Sequence, residues 1–149
     1  MKPRNKNTNP MSGFTLLEVL IAMVILAIGA LGVAALQFKG LKYSTDANTR
    51  SMANFLAYDI ADSIRLNRAN IANYVQNYTA GSGHGACNLA TGAAAANDLN
   101  CWYDRVDAGL PAGSGANITG PDANNLYTIS MSWNDREGQL HTLTYTFLP

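Results

Sequence analysis

Glu18 is the side chain whose position asks most of its surroundings. It abuts an apolar run over residues 19–36, 18 residues without a charge. A carboxylate carried to the centre of a bilayer costs about 2.5–3.5 kcal/mol on insertion scales, less near the interface. Its natural counterpart is a cation, so Glu18 is a candidate for pairing with a positive group. The other reactive side chains offer less. Cys87 and Cys101 are the two cysteines, with 13 residues between them. In an exported domain they read as a disulfide. Free buried thiols are the alternative, and a zinc site would need four ligands at closer spacing. His84 sits in a Gly-rich loop and His141 in a strand pattern. Neither has an acid or nucleophile at a recognisable spacing, so each reads as a solvated or hydrogen-bonded side chain. The ten acidic residues are scattered, with no calcium-loop pattern. Residues 81–86 lack the strand–turn–helix setting and the Lys-Ser/Thr pair of a phosphate cradle. No catalytic residue, no metal and no cofactor is expected.

The apolar run must be a helix to satisfy its own backbone. Its 18 residues then span about 27 Å at 1.5 Å per residue, against about 30 Å for a bilayer core. Apolar side chains circle it on every side. Such a helix needs lipid or partner helices all round. Gly29 and Gly32 lie inside it and are read as sites of close packing or local bending, or as small residues that a membrane helix tolerates. After Gln37 the pattern turns amphipathic. Met52, Phe55, Leu56, Ile60 and Ile64 follow helical spacing and share a face, while Asp59, Asp62, Arg65 and Arg68 lie largely off it. Asp62 and Arg65 are three apart and can pair for a few tenths of a kcal/mol. Phe55 and Tyr58 read as core packing. The helix is expected to end between residues 66 and 78, where asparagines accumulate, and residues 70–77 read as polar surface.

Residues 79–100 are rich in Gly, Ala, Ser and Asn and form a surface loop. Residues 98–106 suggest a short helix capped by Asp98 or Asn100. Leu99, Trp102 and Val106 share its inner face, and Pro111 closes it. Trp102 is its core anchor. Residues 116–118 suggest a first strand, before a turn at Gly120-Pro121-Asp122. The C-terminal β pattern is the clearest. Tyr127, Ile129, Met131 and Trp133 alternate with polar residues, as do Leu143, Tyr145 and Phe147, around a turn at 134–138. This predicts an antiparallel hairpin with one buried face, packed on Met52, Phe55, Ile60 and Ile64. A hairpin alone is marginal, so a further strand near Ile118 is required. The fold class is α+β, a long N-terminal helix on a small antiparallel C-terminal sheet.

Residues 13–18 read Gly13-Phe14-Thr15-Leu16-Leu17-Glu18, directly ahead of the apolar run. This resembles the cleavage and assembly signal of type IV pilins and their pseudopilin relatives. The resemblance implies a cytoplasmic leader over residues 1–13, cut by a prepilin peptidase between Gly13 and Phe14. It implies N-methylation of Phe14, and pairing of Glu18 with the Phe14 amine of a neighbouring subunit. An ordinary secretory signal runs charges, apolar run, then cut; here the glycine precedes the apolar run. Gly29-Ala30-Leu31-Gly32-Val33-Ala34-Ala35-Leu36-Gln37 and the stretch from Ser51 to Asn67 are similar to segments of PilV-type minor pilins. Where many pilins carry a helix-breaking proline, Ala34-Ala35 stand here.

The three regions expected are therefore a leader (1–13), a membrane or filament-core helix (14–37) and an exported globular domain (38–149). Lys2, Arg4 and Lys6 belong to the leader, which fits a cytoplasmic N-terminus. What remains carries seven basic against ten acidic residues, a net −3. No basic face for nucleic acid is implied. The resemblance implies a structural, non-enzymatic protein that waits in the bacterial inner membrane and then enters an extracellular pilus. Its partners would be the prepilin peptidase, other minor pilins and the major pilin, with a tip adhesin as a further candidate, and its roles would be in pilus assembly, adhesion and twitching motility. A minor pseudopilin of type II secretion is the alternative. A DNA-uptake pilin and a membrane-anchored enzyme rank below it.

Overall fold

A computed structural model describes residues 13–88 and 94–149. The leader residues 1–12 and part of the Gly/Ala-rich loop, residues 89–93, lie outside the described residues. The chain divides into two units, Met1–Lys42 and Tyr43–Pro149. Helix α1, Leu16–Leu66, supplies the helical part of the first and the opening element of the second. No proline interrupts it. Its residues 16–41 are all exposed. An 18-residue window of α1 has a mean hydropathy of 2.9, long and apolar enough to cross a membrane, with none of it buried.

The second unit is an α+β domain, as the sequence predicts. After α1 a 3₁₀ segment, Arg68–Tyr74, leads to strand β1, Asn77–Thr79. Helix α2 spans Ala95–Gly109. Strands β2 (Gly115–Thr119), β3 (Tyr127–Asn134) and β4 (Leu140–Phe147) follow. The sheet is antiparallel in the order β1-β2-β3-β4. Period-two alternation sends Tyr127, Ile129, Met131 and Trp133 of β3 to the core. Leu143, Tyr145 and Phe147 lie on the same face of β4, and Thr142, Thr144 and Thr146 face solvent. Both turns use aspartate as the sequence suggests. Asp122 Oδ1 accepts from the backbone N–H of Asn124 and Leu126. Asp135 Oδ1 accepts from those of Glu137 and Gln139.

The core-facing stripe of α1 differs from the expected one. It consists of Ala53, Leu56, Ala57, Ile60, Ala61 and Ile64, each 0–1 % exposed. Phe55 and Tyr58 are 59 % and 52 % exposed, so neither is a core residue. Met52 is partly buried against the cluster. Alanines at 53, 57 and 61 let the neighbouring elements approach, which turns the helix away from its aromatic side chains. Tyr58 instead meets Tyr145 edge to face, 4.6 Å between ring centroids. The Asp62–Arg65 pair forms at 2.8 Å on the surface. Arg65 also donates to Tyr145 Oη and sits over the Phe147 ring.

Helix α2 starts three residues earlier than Asp98. Neither Asp98 nor Asn100 caps it. Ala94 occupies the N-cap position without a side-chain hydrogen bond, because the strong helix propensity of Ala95 and Ala96 carries the helix past the polar residues. Leu110 is extended, as a residue before proline prefers. Leu99, Trp102 and Val106 are all buried, as predicted. Trp102 is fully buried, and its indole N–H donates to the Leu56 carbonyl at 2.9 Å. Arg105 Nη2 lies 2.6 Å from Asp59 Oδ2. A Cβ on Gly109 would stand 2.7 Å from Met52 Cγ, so the absence of a side chain sets how closely the two helices meet there.

The segment 70–77 is more than polar surface. Tyr74 is fully buried and Asn77 opens β1. Tyr74 Oη donates to Asp98 Oδ2 and accepts from Asn67 Nδ2. Burial, and next the bond to Asp98, pushes the Tyr74 phenol up to about 12. β1 escapes the sequence reading because three residues carry too short a period to register.

Cys87 and Cys101 form a disulfide, tying the loop after β1 to the inner face of α2. The 14-residue separation gives roughly 3 kcal/mol in the chain-entropy model. Cys101→Ser is expected to lower the melting temperature of the full chain by on the order of 15 °C. Near-ultraviolet circular dichroism melts check this; a curve that neither reductant nor the substitution shifts would refute it.

Candidate processing and assembly site

Gly13, Phe14 and Thr15 precede the helix and are exposed. Helix α1 begins at Leu16 because Thr15 caps it. The Glu18 N–H lies 3.2 Å from Thr15 Oγ1 and 3.1 Å from the Thr15 carbonyl. Thr15-Leu16-Leu17-Glu18 has the spacing of a capping box. Sequence reading missed the role of Thr15, although that spacing was the signal for it. Glu18 also stands in the first turn, where the helix dipole favours a carboxylate. Capping thus starts the helix at Leu16 and leaves residues 13–15 outside it.

Phe14 and Glu18 are four apart and line one open, mostly apolar hollow with Val19, Ala22, Met23 and Leu26. Its single acid is Glu18. Within the first unit no described cation lies before Lys39.

Both histidines are hydrogen-bonded, as the sequence reading expects, and both have acid neighbours that it does not place. His84 does have acid neighbours. Its Nε2 lies 3.4 Å from Asp104 Oδ1 and 3.6 Å from Asp107 Oδ2. Its Nδ1 donates to the Gly85 carbonyl at 2.7 Å. The ring stands beside Tyr78 and Tyr103, which stack on each other at 3.9 Å. Asp107 also accepts from Tyr78 Oη and from the Gly81 N–H. Burial, then the bond to Asp107, pushes the Tyr78 phenol up to about 12. Asp104 and Asp107 are three apart on α2, one helical face, but only the fold brings that face to a loop some twenty residues earlier in the chain. The cluster ties the loop to α2 beside the disulfide. His141 Nε2 lies 3.2 Å from Asp135 Oδ2. Asp135 is held below the usual carboxylate range by the Gln139 N–H first and by His141 and Glu137 in addition.

The family profile described as the prokaryotic N-terminal methylation motif matches residues 9–34. No curated protein and no solved structure matches the chain. The matched stretch holds Gly13, Phe14 and Glu18, the cap at Thr15 and the exposed apolar part of α1. The chain therefore carries the prepilin signal of type IV pilin-like and pseudopilin substrates.

Proposed function

We propose that the protein is a structural, non-enzymatic subunit of a type IV pilus, a minor pilin of the PilV type that joins or primes the filament. One observation carries the reading. A methylation motif heads a helix whose residues 16–41 are wholly exposed and apolar over a membrane-spanning length. Such a surface is stable in lipid or among like helices, and a subunit that moves between the two exchanges one apolar setting for another. In this reading a prepilin peptidase cuts between Gly13 and Phe14 in the inner membrane. The Phe14 amine is methylated and meets Glu18 of a neighbouring subunit, which fixes the register between protomers. The globular unit faces outward, among other minor pilins and the major pilin.

Mass spectrometry of the protein from its own host tests this. The expected amino terminus is N-methylated Phe14; an intact terminus still carrying Met1 would overturn the proposal. Glu18→Ala is expected to be cut normally but to leave the filament. Burying the amine without its partner costs about 3–5 kcal/mol, a loss of roughly a hundredfold or more in subunit affinity. Unchanged content in sheared pili would contradict this. Deleting the gene is expected to reduce surface pili while protein secretion continues; the reverse pattern would identify a type II secretion pseudopilin.

A further inference from the structure

The loop after β1 reads Gly81-Ser82-Gly83-His84-Gly85-Ala86. β1 anchors one end of it and the Cys87–Cys101 disulfide the other. Among the described residues, no backbone-to-backbone hydrogen bond holds residues 83–87. Glycines give the stretch between the anchors much conformational freedom to lose, so its middle must be pinned by a side chain. His84 is that side chain, and it is 12 % exposed.

Both ring nitrogens of His84 face acceptors. Nδ1 lies 2.7 Å from the Gly85 carbonyl, which can only accept. Nε2 lies 3.4 Å from Asp104 Oδ1 and 3.6 Å from Asp107 Oδ2. A neutral imidazole has one N–H. In one neutral tautomer a lone pair would point at the carbonyl, in the other at two carboxylates. Only the imidazolium presents hydrogen on both sides. Among the described residues, no three His, Cys, Asp or Glu side chains are arranged to hold a metal ion, so the positive charge between loop and α2 is the ring's own proton. The other titratable groups facing the ring are Tyr78 of β1 and Tyr103 of α2. Burial pushes both phenols up, Tyr78 to about 12, so both stay neutral where a histidine titrates.

We propose that His84 is a proton-operated clasp. Its imidazolium closes the loop over residues 81–86 onto Asp104 and Asp107 of α2, and loss of the proton releases that loop. Histidine ordinarily changes charge between about pH 5 and 8. The proton has both sets of partners in the closed form and neither in the open one. Closure is therefore favoured at the acid end and weakened as pH rises. The disulfide confines the opening to the stretch before Cys87.

Limited proteolysis of the full-length chain in detergent micelles tests this, with a protease of broad specificity and the cut mapped by mass spectrometry. A cut within residues 81–86 lies outside the disulfide-closed loop, so it frees two fragments that a gel resolves without reductant. When opening and closing are fast, nicking tracks the population of the open loop. Each variant is compared with the unchanged chain at the same pH, which cancels the protease's own pH dependence. His84→Gln is expected to be nicked about tenfold faster at about pH 5.5 and at the parent's rate at about pH 9. Asp104→Asn removes one facing charge from a position 57 % exposed. It is expected to be nicked about threefold faster at the acid pH. A His84→Gln ratio that is the same at both pH values would make the ring a passive contact and overturn the proposal. So would an Asp104→Asn chain nicked no faster than the parent at the acid pH.

Discussion

Gly13→Leu is expected to leave the precursor uncut. The reason lies in the enzyme that would cut it, since the fold has no objection. Gly13 is exposed and outside the helix, and a Cβ added there meets nothing within 4 Å. The Thr15 cap, two residues on, is untouched. Stability should therefore stay within about 0.5 kcal/mol of the unchanged protein. A peptidase subsite shaped for glycine must accept four extra carbons or reject them. One methylene too many costs a pocket about 10–200-fold in selectivity, so leucine should slow cleavage at least about a hundredfold. The measurement is a gel that separates precursor from mature chain, run beside a melting curve. A normal mature band from a normally folded variant would move the cut away from Gly13.

The second large effect is predicted at Trp102. Trp102→Ala is expected to cost about 3–5 kcal/mol for the lost ring and the cavity it leaves. The bond to the Leu56 carbonyl adds about 0.5–1.5 kcal/mol. A domain of this size has only about 5–15 kcal/mol in all, so the variant should be largely unfolded near body temperature. Trp102→Phe keeps most of the volume and loses the N–H donor, so it should cost far less. Denaturant curves on the full chain distinguish the two. An alanine variant within about 1 kcal/mol of the parent would show that α2 is not anchored by this ring. Trp102 has this weight because it is the largest fully buried side chain of the domain and bonds α1 directly from a helix of 15 residues.

Much of this architecture is legible in the residues. Strict alternation in β3 and β4 sets both the hairpin and its buried face, since one slip in register would turn every side chain over. The spacing of Leu99, Trp102 and Val106 sets the inner face of α2. What is lost to the sequence is lost for identifiable reasons. The core stripe of α1 runs through Ala53, Ala57 and Ala61, and hydrophobicity weights Phe55 and Tyr58 more heavily than alanine. Only the closeness of the packing elements decides between them. Tyr74 hides in a polar stretch because its partners, Asn67 and Asp98, are distant in sequence or ambiguous in role. His84 meets Asp104 and Asp107 only after α2 has folded back beside β1. At the candidate site the residues speak more directly. Gly13, Phe14 and Glu18 are read from a local motif, and only the cap made by Thr15 required seeing the helix start.

The strand order has a kinetic meaning. Each strand lies beside the one before it in the chain, so β2, β3 and β4 assemble by closing short loops. Topologies built from near neighbours fold fast, because little chain entropy is surrendered before contacts reward it. The cysteine pair fits the same economy of search. Two thiols admit a single intramolecular bond, so oxidation cannot choose a wrong one and needs no reshuffling. A domain with this strand order and a single cysteine pair can thus reach its final form quickly.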